Sequence, residues 1–159
     1  MLGDMMRFML HENMQEKIPL SREIEYLKNY IALQRLRTDA NPDIVIEARI
    51  EGGQARGSVP PMLLIPFVEN AFKYGISFRE PSFIRIRLAV LGDKLDFEIH
   101  NSRHPEMTND PEDKKSGVGL NNIRQRLELF YPGMHKLEIM ETPTSFLVYL
   151  SLSLSLPPS

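Results

Sequence analysis

The sequence predicts an α+β fold, a two-layer sandwich in which one mixed or antiparallel sheet carries helices on one face. Three observations predict it. Residues 83–91 and 95–99 alternate apolar and polar positions on either side of Leu91-Gly92-Asp93-Lys94, the pattern of a tight hairpin. Residues 21–37, 60–75 and 117–131 instead repeat their apolar positions with the helical period of ~3.6. Each of these helices has a single apolar stripe, which needs a sheet on one side and tolerates water on the other.

Composition narrows the class. At 159 residues the chain is long enough to bury one proper core. Apolar residues at 42% and charged residues at 25% are ordinary for a soluble globular domain. A net charge of −2 leaves no broad basic surface, so neither nucleic acid nor an anionic membrane is the expected partner. The absence of cysteine excludes disulfides and thiolate metal sites. No apolar run approaches ~20 residues, so no segment is expected to span a membrane. Met1-Leu2-Gly3-Asp4-Met5-Met6-Arg7 lacks the basic start and apolar block of a signal peptide. The methionines read as core filler, and there is no internal repeat.

Residues 1–17 set Met5, Met6, Met9 and Leu10 among polar residues. They read as the end of a helix entered mid-element, either cut from a longer protein or frayed. Ser21 is the expected cap of the next helix, which reaches about Arg37 with Glu23 and Glu25 in its first turn. Its stripe is Ile24, Leu27, Ile31 and either Gln34 or Leu36. Asn41-Pro42-Asp43 is a turn, and Ile44, Ile46, Ala48 and Ile50 form one face of a strand that Gly52-Gly53 ends.

Pro60 to Gly75 reads as one helix. Its prolines sit where a missing N–H costs least. Leu63, Leu64, Phe67, Val68, Ala71 and Phe72 make its stripe, and Gly75 is the expected C-terminal stop. Glu69, Asn70 and Lys73 form a second, polar cluster one turn apart. That cluster is either a solvated face or a carboxylate, carboxamide and ammonium set able to hold a metal and a phosphate.

The hairpin follows, with Ile84, Ile86, Leu88 and Val90 answering Leu95, Phe97 and Ile99. Residues 102–116 are polar and lack any period, as expected of a binding loop, a lid or a disordered stretch. Gly117-Val118-Gly119-Leu120 then opens a helix to about Tyr131, with Leu120, Ile123, Leu127 and Phe130 as its core face. Leu137 and Ile139, then Phe146, Val148, Leu150 and Leu152, make a last strand pair, and Leu156-Pro157-Pro158-Ser159 is a frayed tail. His11, His100, His104 and His135 show no metal-ligand spacing and read as surface residues. Arg124 and Arg126 either touch phosphate or form surface ion pairs of little energy.

Three pieces ask for a joint explanation: the polar edge at Glu69, Asn70 and Lys73, the strand end at Asn101, and the glycine-opened helix. A glycine turn feeding a helix N-terminus exposes backbone N–H groups and a positive dipole end, which suits phosphate. Lys114 and Lys115 sit just before that turn. G-x-G alone is a weak signal.

Leu63-Leu64-Ile65-Pro66-Phe67-Val68-Glu69-Asn70-Ala71-Phe72-Lys73-Tyr74-Gly75 resembles the N box of the LytS-type sensor histidine kinases. Gly117-Val118-Gly119-Leu120-Asn121-Asn122-Ile123-Arg124-Gln125-Arg126-Leu127 resembles their second glycine box and the helix after it. Residues 20–37, with Tyr30-Ile31-Ala32-Leu33-Gln34-Arg35, resemble the helix that precedes their nucleotide domain. The match spans nearly the whole chain in the right order.

The resemblance implies a Bergerat-type (GHKL) ATP-binding fold, shared with gyrase and MutL, in which ATP lies between helices and sheet under a lid. By position, Asn70 would ligate Mg²⁺ and Lys73 would contact the phosphates or the ribose side. Tyr74 would flank the nucleotide. Gly117, Val118, Gly119 and Leu120 would let the hinge and backbone approach the phosphates. Residues 102–116 would be the lid, with Lys114 or Lys115 reaching the γ-phosphate. Glu69 would orient the acceptor or the metal, or else be a surface charge. Residues 1–19 would end an upstream helical region bearing the acceptor histidine, and 20–156 would be the ATP-binding domain. The implied partners are a response regulator and the acceptor-histidine region of the same protein, in a full-length homodimer. The implied setting is the cytoplasmic side of an inner-membrane protein anchored only by upstream segments.

The chain departs from the superfamily at two places. Asn101 stands where many members have an aspartate that accepts from the adenine amino group. A carboxamide still accepts, without charge assistance and at about half the strength. Pro66 stands where ATPases of the superfamily carry the glutamate that activates water, which argues against a gyrase-type ATPase. The acceptor-histidine motif itself is missing, so the chain alone is expected to bind nucleotide with little or no autophosphorylation. The rival expectation is a nucleotide-sensing module without phosphotransfer.

Overall fold

The structure is a computed structural model and describes residues 17–51, 57–104 and 113–154, with side chains from residue 120 onward in the last stretch. The expectations for residues 1–16, Gly52-Gly53, the middle of the proposed lid (105–112) and the tail (155–159) lie outside the described residues.

The elements run β1 (Ile18–Pro19), α1 (Leu20–Thr38), β2 (Ile44–Ile50), β3 (Ser58–Val59), α2 (Ile65–Gly75), β4 (Ser82–Leu91), β5 (Lys94–Ser102), α3 (Asp113–Phe130), β6 (His135–Glu141) and β7 (Ser145–Ser153). The main sheet has the order β2-β4-β5-β7-β6. β2 pairs with β4 in parallel, and the other three pairings are antiparallel. The sheet is therefore mixed, because the chain leaves β2, passes through α2 and returns beside it. A short antiparallel ribbon pairs β1, just before α1, with β3, just before the turn into α2.

Strand alternation decides which side is covered. Ile84, Ile86, Leu88, Leu95, Phe97, Ile99, Val148, Leu150 and Leu152 are all buried beneath the helices. The opposite face carries Glu47, Arg85, Arg87 and Glu98 and stays open to water. Its Arg85–Glu47 pair at 3.5 Å is well exposed and adds little to stability. The helical layer contributes Ile24, Leu27 and Ile31 from α1, Phe67, Val68, Ala71 and Phe72 from α2, and Ile123 and Leu127 from α3. Each large side chain so buried contributes about 1.5–3 kcal/mol, so packing rather than helix propensity sets where these helices lie.

Four boundaries differ from the sequence reading, each for a physical reason. α1 starts at Leu20 without a side-chain cap, so Ser21 does not cap it. The Leu20 N–H donates instead to the Gly57 carbonyl at 2.9 Å. Its stripe ends on Thr38, and Leu36 points to solvent. α2 starts at Ile65, five residues after Pro60. Pro61 disfavours helical geometry in the residue before it, so Pro60 continues the extended path of β3. Gly75 is the last helical residue but does not take the left-handed conformation, so it is no αL stop; its role is close approach, described below. α3 starts at Asp113, so its glycines lie inside the helix and do not open it, and residues 113–116 are helix rather than loop. Two glycines cost about 1 kcal/mol each within a helix, and the two lysines before them favour it.

Candidate functional site

α2 presents the polar edge to the outside of its own layer. Phe67, Val68, Ala71 and Phe72 face the core, which leaves Glu69 and Lys73 exposed and Asn70 and Tyr74 half-buried. The Lys73 ammonium lies 5.2 Å from the centre of the Tyr74 ring, a cation–π contact that gathers the two side chains. Glu69 leans toward α1. Partial burial raises its carboxyl above the ordinary range. The Tyr26 and Tyr30 phenols of α1 are raised first by their own burial and next by the Glu69 charge. Tyr30 also meets Phe72 edge-on at 5.8 Å, so α1 and α2 are packed along this side.

The C-terminal end of α2 is stitched to the end of β5. Ser102 Oγ donates to the Gly75 carbonyl at 2.7 Å, satisfying one of the last carbonyls of the helix. Asn101 is buried directly below. A Cβ on Gly75 would lie 3.0 Å from both Asn101 Cβ and Nδ2 and 3.2 Å from the Ser102 carbonyl oxygen. Only glycine allows the helix to sit this close. Asn101 Nδ2 donates to the Ser102 carbonyl at 2.8 Å. A carbonyl only accepts, so this bond fixes the carboxamide with its amino end there and its oxygen on the other side.

The opposite end of α2 holds the residues that the sequence reading missed. The turn 61–64 before the helix is gripped from two sides. Glu23 of α1 is 2% exposed and accepts from the Met62 N–H at 3.2 Å and the Leu64 N–H at 3.1 Å, one on each carboxyl oxygen. Arg126 of α3 donates to the Met62 carbonyl at 3.0 Å and the Pro61 carbonyl at 2.7 Å. Burial raises the Glu23 carboxyl, against the pull of the backbone N–H groups and the Arg126 charge. Burial likewise lowers Arg126, against the Glu23 charge. Arg126 is thus committed to the turn before α2 rather than to a surface ion pair alone. A signal existed for both: each is a charge set on an otherwise apolar stripe, Glu23 one turn before Leu27 and Arg126 one turn after Ile123.

A third polar cluster was also unread. His104, only 6% exposed, is no surface residue: its Nε2 lies 3.0 Å from Ser82 Oγ and its Nδ1 lies 3.1 Å from Glu80 Oε2. Ser82 Oγ in turn receives the Ser77 N–H at 2.9 Å. Its hydroxyl is buried and committed to backbone, so the trio braces the 77–82 connection.

Of the expected site residues, then, the structure brings Asn101 against the Tyr74–Gly75 end of α2 and gathers Lys73 with Tyr74. α3, which carries Gly117, Val118, Gly119 and Leu120, packs against α2. The helix binds its own N–H groups at Gly117–Leu120, so they do not form an open anion cradle. The side chains of Lys114 and Lys115 lie outside the described residues.

Comparison with known proteins now bears on this arrangement. Residues 1–41 match the family model described as "Histidine kinase". An uncharacterized sensor-like histidine kinase of Staphylococcus epidermidis is 34% identical over 101 residues, 64% of this chain and 19% of that protein. The sensor protein kinase HptS of Staphylococcus aureus is 28% identical over 149 residues, 87% of this chain and 28% of that protein. The chain is thus similar in sequence to sensor histidine kinases. Solved structures agree on the fold. The catalytic domain of histidine kinase ThkA superposes with a TM-score of 0.59 at 16% identity, covering 87% of this chain and 95% of that one. The histidine kinase domain of the blue-light activated kinase from Erythrobacter litoralis EL346 gives 0.56 at 17% identity, covering 87% and 67%. The chain spans less than a third of the length of those two staphylococcal relatives. Among its described residues no helix is long and apolar enough to cross a membrane.

Proposed function

We propose that the chain is the ATP-binding catalytic domain that passes the γ-phosphoryl of Mg·ATP to a histidine elsewhere in the protein, for relay to a response regulator. The observation that carries the reading is the junction of α2 with β5. There a buried carboxamide of fixed orientation lies under the helix that bears Asn70, Lys73 and Tyr74.

The residues present fit the implied groups. Asn101 Oδ1 is the end of the carboxamide left to accept from an adenine amino group. Mg²⁺ favours oxygen ligands, keeps several waters and binds through substrate phosphates, so one amide oxygen from Asn70 is enough protein for it. Among the described residues no group of three His, Cys, Asp or Glu gathers into a cage. When bound, Mg²⁺ would neutralise charge on the phosphates. The chain's own part is positioning: Asn70 orients the metal end, Lys73 offsets phosphate charge, and Asn101 selects the base. Transfer of this kind depends on placement and electrostatics rather than on a covalent intermediate with the domain. The helical geometry of Gly117–Leu120 fits a role as hinge, because two glycines make the first turns of α3 easy to unwind. Lys114 or Lys115 would then approach the γ-phosphate.

By sequence, residues 1–19 would belong with the upstream acceptor-histidine region and 20–156 with the catalytic domain, although Ile18–Pro19 pair with Ser58–Val59 and Ile18 is buried in the core of that domain. The whole protein would be a homodimer anchored in the membrane by segments upstream, with this domain in the cytoplasm. The test is nucleotide titration of the parent and Asn70→Ala, each with and without Mg²⁺. Mg²⁺-dependent binding should disappear in the variant. Equal metal-dependent affinity in both removes Asn70 from its role, and no binding by the parent at millimolar nucleotide removes the function.

A further inference from the structure

We propose that Glu23 and Arg126 are positioning residues for nucleotide binding, and that through Glu23 the placement of α1 sets how α2 presents Asn70. The inference rests on the proposed function and adds its regulation.

The turn before α2 is unusual in its conformation and in its partners. Met62 has a φ of +59°, the one positive φ outside glycine among the described residues. Such a conformation is unfavourable for a side-chain-bearing residue and persists only where the surroundings impose it. The surroundings here are two charges from two other helices, the buried Glu23 and the half-buried Arg126. Glu23 takes the N–H groups of Met62 and Leu64, while Arg126 fills the carbonyls of Pro61 and Met62. Water cannot replace them, because Leu63, Leu64 and Ile65 are fully buried. A helix N-terminus is normally satisfied locally by a Ser, Thr, Asp or Asn cap. α2 instead has Leu64 at its cap position with no side-chain cap, and draws its acceptor from 41 residues upstream.

That choice links parts of the chain that a local cap would leave independent. Glu23 lies within the 1–41 segment matched by the histidine-kinase family model, whereas Asn70, Asn101 and the glycine pair lie outside it. The positive end of α2 partly offsets the cost of burying the Glu23 carboxylate, and each of its oxygens accepts one N–H. A turn or tilt of α1 that withdraws Glu23 strands those N–H groups and releases the strained turn. α2 then loses its anchor at the end opposite the Gly75–Asn101 junction.

The test compares the parent with Glu23→Gln and Arg126→Lys. A third variant, Leu152→Ala, serves as control, removing buried surface at the far end of β7 from Asn101. Each is confirmed folded by circular dichroism at the assay temperature. Two quantities are read: Mg·ATP affinity, and the side-chain amide resonances of Asn70 without nucleotide. We expect Glu23→Gln to bind about tenfold more weakly and to shift the Asn70 resonances. Arg126→Lys should do the same to a smaller degree, and the control should change neither. If Glu23→Gln does not fold, Arg126→Lys carries the comparison alone. Folded clamp variants with parental affinity and unshifted Asn70 resonances overturn the proposal and leave the nucleotide function standing. The control matching the clamp variants also overturns it, since the effect would be general loosening. A parent that binds no nucleotide overturns the function instead, and the affinity claim with it.

Discussion

Gly75→Ala is expected to lower stability slightly and nucleotide affinity more. The added Cβ would stand 3.0 Å from Asn101 Cβ and Nδ2 and 3.2 Å from the Ser102 carbonyl oxygen. Carbon contacts settle near ~3.5–4.0 Å, so the helix end or the strand end must move by about half an ångström or more. Neither moves freely. Asn101 is held in the ladder between Ile84 and Phe146, and Ser102 Oγ ties the helix end down. Overpacking of this kind costs about 1–3 kcal/mol, and alanine recovers up to ~1 kcal/mol as the better helix former. A net loss of about 1 kcal/mol lowers the melting temperature by ~2–4 °C in a chain of this size. Displacing Asn101 by the same half ångström would weaken the proposed bond to the base, worth about 0.5–1.5 kcal/mol, or several-fold in affinity.

Gly133→Ala separates the two effects. Gly133 has a φ of +70° with nothing within 4 Å of a built Cβ, so alanine there brings backbone strain alone. It should lower the melting temperature by a similar amount and leave ATP affinity unchanged. Thermal melts and titration with a fluorescent ATP analogue measure both. A Gly75→Ala protein as stable as the parent and binding equally well refutes the reasoning, as does equal loss of affinity in Gly133→Ala.

Asn101→Asp should weaken nucleotide binding about tenfold despite restoring the charged residue common in the superfamily. The new oxygen would face the Ser102 carbonyl that Nδ2 now donates to, and tighter binding by titration would show that the carboxamide is not so fixed. Tyr131→Phe should raise stability by about 1–2 kcal/mol in chemical denaturation, because an unmet buried hydroxyl costs that much. Among the described residues that hydroxyl is buried without a hydrogen-bond partner, and its pKa is pushed up to about 12 by burial, so a loss on its removal would reveal a partner. The stability gap between parent and Glu23→Gln should narrow as pH rises above about 4.5, the ordinary glutamate value. Burial raises the folded-state pKa of Glu23, so its contribution is complete below the unfolded value and is lost as pH climbs through the folded one. Denaturant curves across that range check the sign, and a gap that widens with pH contradicts it.

The strands and helical stripes were legible because each follows from local alternation. Ile84, Ile86 and Leu88 alternate whatever they pair with, and the structure buries all three. The parallel pairing of β2 with β4 was not legible, since it depends on where α2 crosses and not on either strand's own pattern. The glycines of α3 misled in a related way. Read singly, Gly117 and Gly119 mark a break, yet four helix-compatible residues before them carry the helix back to Asp113. Propensity acts over a whole window, so two unfavourable residues do not decide its start.

The candidate site was legible in its residue types and illegible in its orientations. Asn70 and Lys73 could be placed on one edge of a helix from spacing alone, and they are on one edge. Asn101 could be placed at a strand end, but the direction of its carboxamide is set by one carbonyl next to it and by a glycine 26 residues earlier that lets the helix press down. Glu23 shows the same limit more sharply. In sequence it is an ordinary acid in a first turn, favourable to its own helix dipole. In the fold it serves the dipole of a different helix, because Leu20, Ile24 and Leu27 rotate that side of α1 into the core and carry the carboxylate in with them. A charge placed on an apolar stripe has only two outcomes, a large desolvation cost or a buried partner. The position of Glu23 in its stripe therefore points to a long-range contact, while the way α1 and α2 meet decides that the contact is the turn at Met62 and Leu64.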